Sequence, residues 1–99
     1  MLMTNKTKTV VVSCAAATAQ TLPEEAAEVV SVYTGGALGA AGDTLTAATV
    51  VVGAPAAAEC QFTGTPKAPS AAITLGTAAA AGQELFAEIV PVGGIARDQ

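Results

Sequence analysis

The sequence predicts an all-β fold, a small antiparallel β-sandwich or barrel of jelly-roll type with at most one short helix. Two observations predict it: six or seven short runs of strand-forming residues are separated by turn signals, and one β-unit occurs twice. Many short strands with turns between them are typical of sandwiches and barrels. With 99 residues the chain is predicted to be a single domain.

The repeated unit covers residues 34–53 and 74–93, which align without a gap and are identical at 10 of 20 positions. Composition alone gives roughly two or three such matches. The matched apolar positions change parity midway, from Leu45 and Leu85 to Val50 and Val90, so one flat strand does not bury them all on one face. We therefore predict a bulge near residues 48–49 and 88–89, because Glu88 would be costly in a strand buried on both faces.

The first third of the chain contains a strand and a possible helix start. Residues 7–14 are rich in β-branched residues and predict the first strand. Residues 15–20 fit either state. Thr21-Leu22-Pro23-Glu24-Glu25 is a helix-start signal, but residues 29–34 alternate and favour a strand that ends at Gly35-Gly36. We predict at most one helical turn before that strand; a full helix from Pro23 to Tyr33 is the alternative.

The rest of the chain is predicted to consist of strands and loops. Strands are expected at residues 43–52, 59–63, 71–75 and 83–92, and loops or turns at 36–42, 64–70 and 78–82. Pro91 lacks a backbone donor, so the last strand lies at an edge or ends there. Apolar residues of these strands form the candidate core: Val10, Val12, Val30, Val32, Leu45, Val50, Val52, Phe62, Ile73, Leu75, Leu85 and Ile89.

Composition favours a chain that packs against neighbours. Hydrophobic residues make up 52%, but aromatic residues only 3% and charged residues 12%, about half the usual 25%. Such a core is built from small side chains, and its outer surface is covered either by small and polar residues or by adjoining subunits. Cys14 and Cys60 have no metal or redox spacing. They are predicted to be buried and reduced, with a disulfide as the alternative if their strands are adjacent.

Charge and motif content exclude several classes of function. The net charge is −4 with only four basic residues, too few to neutralise the phosphates of a nucleic acid. No run of eighteen apolar residues is present, as a membrane-spanning helix requires. The chain has no His, no phosphate-binding loop and no dinucleotide motif. Glu24, Glu25 and Glu28 fit a helix start, and Glu84 with Glu88 fit a solvated face, so we predict no enzyme, cofactor or metal.

The segment 69–85 resembles a pattern found in virion proteins of tailed phages, in which a Thr/Leu strand, an Ala-Ala-Gly turn and a second strand follow one another. In size and composition the whole chain is similar to phage capsid decoration (cement) proteins. The resemblance implies a β-rich subunit, often a trimer, that binds the outside of the head and stabilises the shell. It implies the major capsid protein and copies of itself as partners, and a location on the outer capsid surface after synthesis in the host cytoplasm.

Two other readings stay open. The chain is also similar to β-modules of phage tail tubes or fibres. A small ligand-binding β-sandwich is the third alternative, but such a protein needs exposed aromatic residues, and the chain has only Tyr33, Phe62 and Phe86.

If the chain is a decoration protein, its N-terminal arm (1–9) and C-terminal tail (94–99) are the expected contacts with shell or neighbour. The candidate contact residues are Thr4, Asn5, Lys6, Lys8, Ile95 and Arg97. Tyr33 is the one side chain suited to an interface hot spot, although such a residue more often lies in a core.

Overall fold

The computed structural model describes residues 4–5, 7–92 and 95–96. The strands are β1 (Thr4–Asn5), β2 (Lys8–Ser13), β3 (Ala19–Ala37), β4 (Ala40–Ala47), β5 (Thr49–Val51), β6 (Glu59–Gln61), β7 (Ser70–Leu75), β8 (Glu84–Pro91) and β9 (Ile95–Ala96). No helix occurs in the described ranges, so the all-β prediction is confirmed. Residues 21–25 lie in a strand, which agrees with the prediction of at most one helical turn, whereas the alternative of a full helix from Pro23 to Tyr33 is wrong.

The region with the helix-start signal belongs to β3, a single strand of 19 residues. It pairs with β7 through residues 19–26 and with β8 through residues 26–34. Between Thr21 and Ala26 the ladder with β7 is interrupted, and Pro23 lies in this gap, where its missing N–H breaks no pairing. Pairing along both edges outweighs the local helix signal, because propensity is a weak preference that tertiary contacts override.

The main sheet has the order β2-β8-β3-β7-β6-β5, and β4 pairs with the last part of β3. The pairs are antiparallel except β5–β6, which is parallel, so the purely antiparallel prediction is wrong at that pair. Between β4 and β5, the Ala48 N–H donates to the Val32 carbonyl at 2.9 Å. The segment 40–51 therefore connects β3 to β6, and the sheet curls into a half-barrel.

The core lies on the inner face of this curled sheet. Leu85, Ile89, Ile73 and Leu75 are at most 2% exposed. Four more of the candidate core residues are buried and one packs partly against them: Val10, Val12, Val32 and Phe62, with Val50. β8 supplies the centre of the core because it lies between β2 and β3.

Three candidate core residues are exposed, so that part of the prediction is wrong: Val30 by 47%, Leu45 by 60% and Val52 by 75%. Val30 is the extra residue of a bulge, because Val29 pairs with Ile89 whereas Ser31 pairs with Glu88. The bulge resets the alternation of faces, and Val29 and Val32 point inward instead.

Leu45 and Val52 are exposed because of where their strands lie. Leu45 belongs to β4, which pairs with β3 alone among the described strands, and seven of the eight β4 residues are exposed. Val52 follows the end of β5 and lies in a bend at the surface.

The two copies of the repeat occupy different places in the sheet. The first copy contains β4 and β5 at the rim, and its strand is interrupted at Ala48. The second copy contains β8, which pairs with β2 without a break from Glu84 to Ile89. The predicted bulge within this second copy is therefore wrong, because the extra residue opposite Glu88 and Ile89 lies in β3. β8 ends at Pro91, as predicted.

Candidate functional site

The described parts of the two segments predicted to make contacts include one pair of short strands. β1 pairs antiparallel with β9, with Thr4 opposite Ala96 and Asn5 opposite Ile95. We call this pair the terminal ribbon. Lys6 and Arg97 lie outside the described residues. The N-terminal arm is shorter than predicted, because residues 8–9 belong to β2.

Lys8 has a partner within its own chain. Its Nζ lies 2.7 Å from Glu24 Oε2, and the two side chains are 50% and 38% exposed. A surface ion pair of this kind contributes about 0–1 kcal/mol to stability. Lys8 is therefore an ion-paired strand residue rather than part of a free arm.

The most prominent surface feature is a row of apolar side chains across four strands. Val11 of β2 pairs with Phe86 of β8, Phe86 with Tyr33 of β3, and Tyr33 with Ala47 of β4. Paired residues direct their side chains to the same face, and here this is the outer face, since Val11 is 52% and Tyr33 44% exposed. We call these four residues the outer row. At a strand spacing of about 4.8 Å, it is about 14 Å long.

On one side the outer row is bordered by polar residues. Thr9, Glu88 and Ser31 form the next row on that face. The Glu88 carboxylate accepts hydrogen bonds from the Thr7 hydroxyl at 2.7 Å and the Ser31 hydroxyl at 3.3 Å. Two hydroxyl groups thus fix this carboxylate beside the outer row, with no described Lys or Arg side chain paired to it.

On the other side lies an open depression of about 460 Å³, lined by Val11, Ser13, Asp43 and Glu84 among others. Asp43 and Glu84 are both exposed. A second depression, of about 250 Å³, lies at the β4 end of the outer row and includes Val30 and Tyr33. Shallow depressions thus border the outer row along one side and at one end, and a protein partner can fill them more readily than a small molecule.

A buried glutamine that the sequence did not reveal holds the strands of this face in place. Gln83 Oε1 accepts from the N–H groups of Gly39 at 3.2 Å and Ala80 at 3.0 Å. Its Nε2 donates to the carbonyls of residues 35–37 at 2.8–3.3 Å. Gln83 thereby fixes the β3–β4 turn to the start of β8. Apart from Ala80, its partners lie 44–48 residues away along the chain, so no local pattern could identify them.

The two cysteines are free and buried. Burial raises the pKa of the Cys14 thiol. Burial, and to a lesser degree the nearby Glu59 carboxylate, raises the pKa of Cys60 to about 11. Both thiols are therefore protonated at neutral pH and are weak nucleophiles. Within residues 7–92, no group of three His, Cys, Asp or Glu side chains is placed to hold a metal ion.

In the described part of the chain, no helix is long and apolar enough to cross a membrane. Comparison of the sequence with protein-family models and curated proteins, and of the structure with solved structures, finds no match.

Proposed function

We propose that the chain is a structural subunit of a virion, a capsid decoration protein that binds the outside of a phage head and stabilises the shell. Its partners are the major capsid protein and copies of itself. The observation that carries the proposal is the outer row. The chain has only three aromatic residues, and two of them, Tyr33 and Phe86, lie on one outward face instead of in the core.

An apolar row with polar borders on the outer face of a sheet is typical of a protein-binding surface. Tyrosine is enriched among residues that dominate binding energy, because its large ring is buried at a low cost in side-chain entropy. The polar borders, including Glu88 and Ser31, provide the hydrated rim that such interfaces have.

The terminal ribbon is the second element of the proposal. Pairing of β1 with β9 places residues 4–5 beside residues 95–96. A shell protein that contacts this ribbon binds both of its strands at once, which suits a subunit that must remain attached under load.

The proposal is tested by rebinding. Phage heads stripped of surface-bound proteins are incubated with the purified chain, and the bound fraction is measured by co-sedimentation. We expect Tyr33→Ser to weaken binding by roughly 30-fold, which corresponds to about 2 kcal/mol. Val52→Ser is the matched control, because Val52 is 75% exposed but lies outside the outer row.

Circular dichroism spectra of both variants establish that each is folded. Equal binding of Tyr33→Ser and the wild type would overturn the proposed surface. Sedimentation of the wild-type chain with isolated tails, and not with heads, would favour the tail-tube or fibre function instead.

A further inference from the structure

The described sheet has open strand edges at β2, β4 and β5, and two of them are protected against pairing. In β4, Gly35 pairs with Leu45 but Gly36 pairs with Ala41, so residues 42–44 bulge out and carry the charged Asp43. β5 has only three residues. Bulges, charges and short length are the usual means by which proteins prevent edge-to-edge association.

β2 has none of these protections. It has six residues, pairs with β8 without a register shift and contains no proline. Its one charge, Lys8, is at its first position and is paired with Glu24. In the described part of the chain, β8 is its single strand neighbour, so the other edge is open.

The hydrogen bonds next to β2 show which backbone groups face this open edge. The Cys14 N–H donates to the Gln83 carbonyl at 2.9 Å, and the Cys14 carbonyl accepts from the Gly82 N–H at 2.8 Å. Cys14 thus directs both groups toward β8. Because this direction alternates along a strand, Thr9, Val11 and Ser13 direct both of theirs to the open edge.

We propose that β2 pairs antiparallel with β2 of a second copy of the chain, about a two-fold axis at Val11. Paired residues must share a face, so the axis passes through a residue position and not between two positions. With the axis at Val11, Thr9 lies opposite Ser13 of the second copy and Val11 opposite its own equivalent. All three residues whose backbone groups face the open edge then form pairs, which gives about six backbone hydrogen bonds.

Sequence and charge fit this pairing. Residues 9–13 read Thr-Val-Val-Val-Ser, nearly the same in both directions and without a charge. Val11, which is 52% exposed, becomes covered, and the outer rows of the two copies join into one. The carboxylates of Glu88 and of Glu84 in the second copy are three strand spacings apart, about 14 Å. This exceeds the Debye length of about 8 Å at physiological salt, so their repulsion is largely screened.

An axis at Val10 is another position that the shared-face rule allows. It would place Val11 beside Thr9 of the second copy and use Val10, which is already 7% exposed. The Val11 axis covers more apolar surface. The pairing joins two copies, whereas the resemblance described above implies trimers, and it is independent of the proposed attachment to a phage head.

Disulfide trapping tests the pairing and its register. At the axis, the two Val11 Cα atoms are about 5.5 Å apart, within the range of a disulfide. Val11→Cys should form a covalent dimer under mild oxidation, as read on a non-reducing gel. Thr9→Cys is the matched control on the same strand and face; its two copies lie roughly 13 Å apart, too far to bridge.

The Thr9→Cys variant keeps both native cysteines, which are buried, so a covalent dimer formed through them would appear with this control as well. We further expect light scattering to give the mass of two copies for the wild type. Val11→Lys should give one copy, because two like charges meet at the axis, with an unchanged circular dichroism spectrum. Equal trapping of Thr9→Cys and Val11→Cys, absence of the Val11→Cys dimer, or a single-copy wild type would each overturn the pairing.

Discussion

The two copies of the repeat should respond very differently to the same substitution. Leu45 and Leu85 are matched positions, and their sequence context alone predicts the same cost for Leu→Ala at both. Leu85 is 0% exposed in the central strand β8, whereas Leu45 is 60% exposed in the rim strand β4. Comparing the two substitutions therefore shows whether the loss of stability depends on the position in the fold or on the local sequence.

The magnitudes follow from burial. Leu→Ala removes three carbons, worth about 2.4 kcal/mol of transfer free energy at about 0.8 kcal/mol each. At Leu85 a cavity term adds to this, so the free energy of unfolding should fall by about 3–5 kcal/mol. At Leu45, where 60% of the residue is already exposed, the loss should be at most about 1 kcal/mol.

Urea unfolding followed by far-ultraviolet circular dichroism measures both values. If Leu85→Ala does not fold, Leu85→Val and Leu45→Val provide a milder version of the same comparison. Equal losses at the two positions would refute the assignment of β8 to the core and β4 to the rim.

The remaining predictions concern buried groups. Gln83→Met should lower the free energy of unfolding by about 2–5 kcal/mol, because it leaves backbone groups without partners; Gln61→Met, whose amide makes one exposed hydrogen bond, should cost at most about 1 kcal/mol in the same urea titration. Gly76→Ala should cost more than about 2 kcal/mol, because its Cβ would meet backbone atoms, whereas Gly53→Ala, with open space around it, should stay within about 0.5 kcal/mol by thermal melting. Equal effects within either pair would contradict the packing. Because the folded pKa of Cys60 is raised from 9.0 to about 11, only the unfolded chain ionises between these values. The free energy of unfolding should therefore fall there by at most about 1.4 kcal/mol per pH unit, and the wild type and Cys60→Ala should show different slopes in unfolding titrations; identical slopes would contradict it.

Much of the fold could be predicted because several strands have strong local signals. Runs of Val, Ile and Thr with turn residues on each side located β2, β7 and β8 within one or two residues. The start of β3 could not be predicted in this way. Its Thr-Leu-Pro-Glu-Glu sequence is a genuine local helix signal, and only its distant partners β7 and β8 make it a strand.

The candidate surface was less accessible from sequence. Alternation placed Val10 and Val12 inside and so left Val11 outside by parity, but nothing local connects Val11 with Tyr33, Ala47 and Phe86. Their adjacency depends on the register of four strands. Alternation also gave the wrong face for Val30. The bulge at this residue arises from the pairing of β3 with β8, and the sequence of β3 alone does not reveal it.

Electron microscopy of intact virions labelled with a gold-conjugated antibody against the chain tests the proposed function most directly. We expect gold particles over the outer surface of the heads, with no labelling of tails. Gold particles on tails alone, or no labelling of virions from preparations in which the chain is made, would contradict a capsid decoration function.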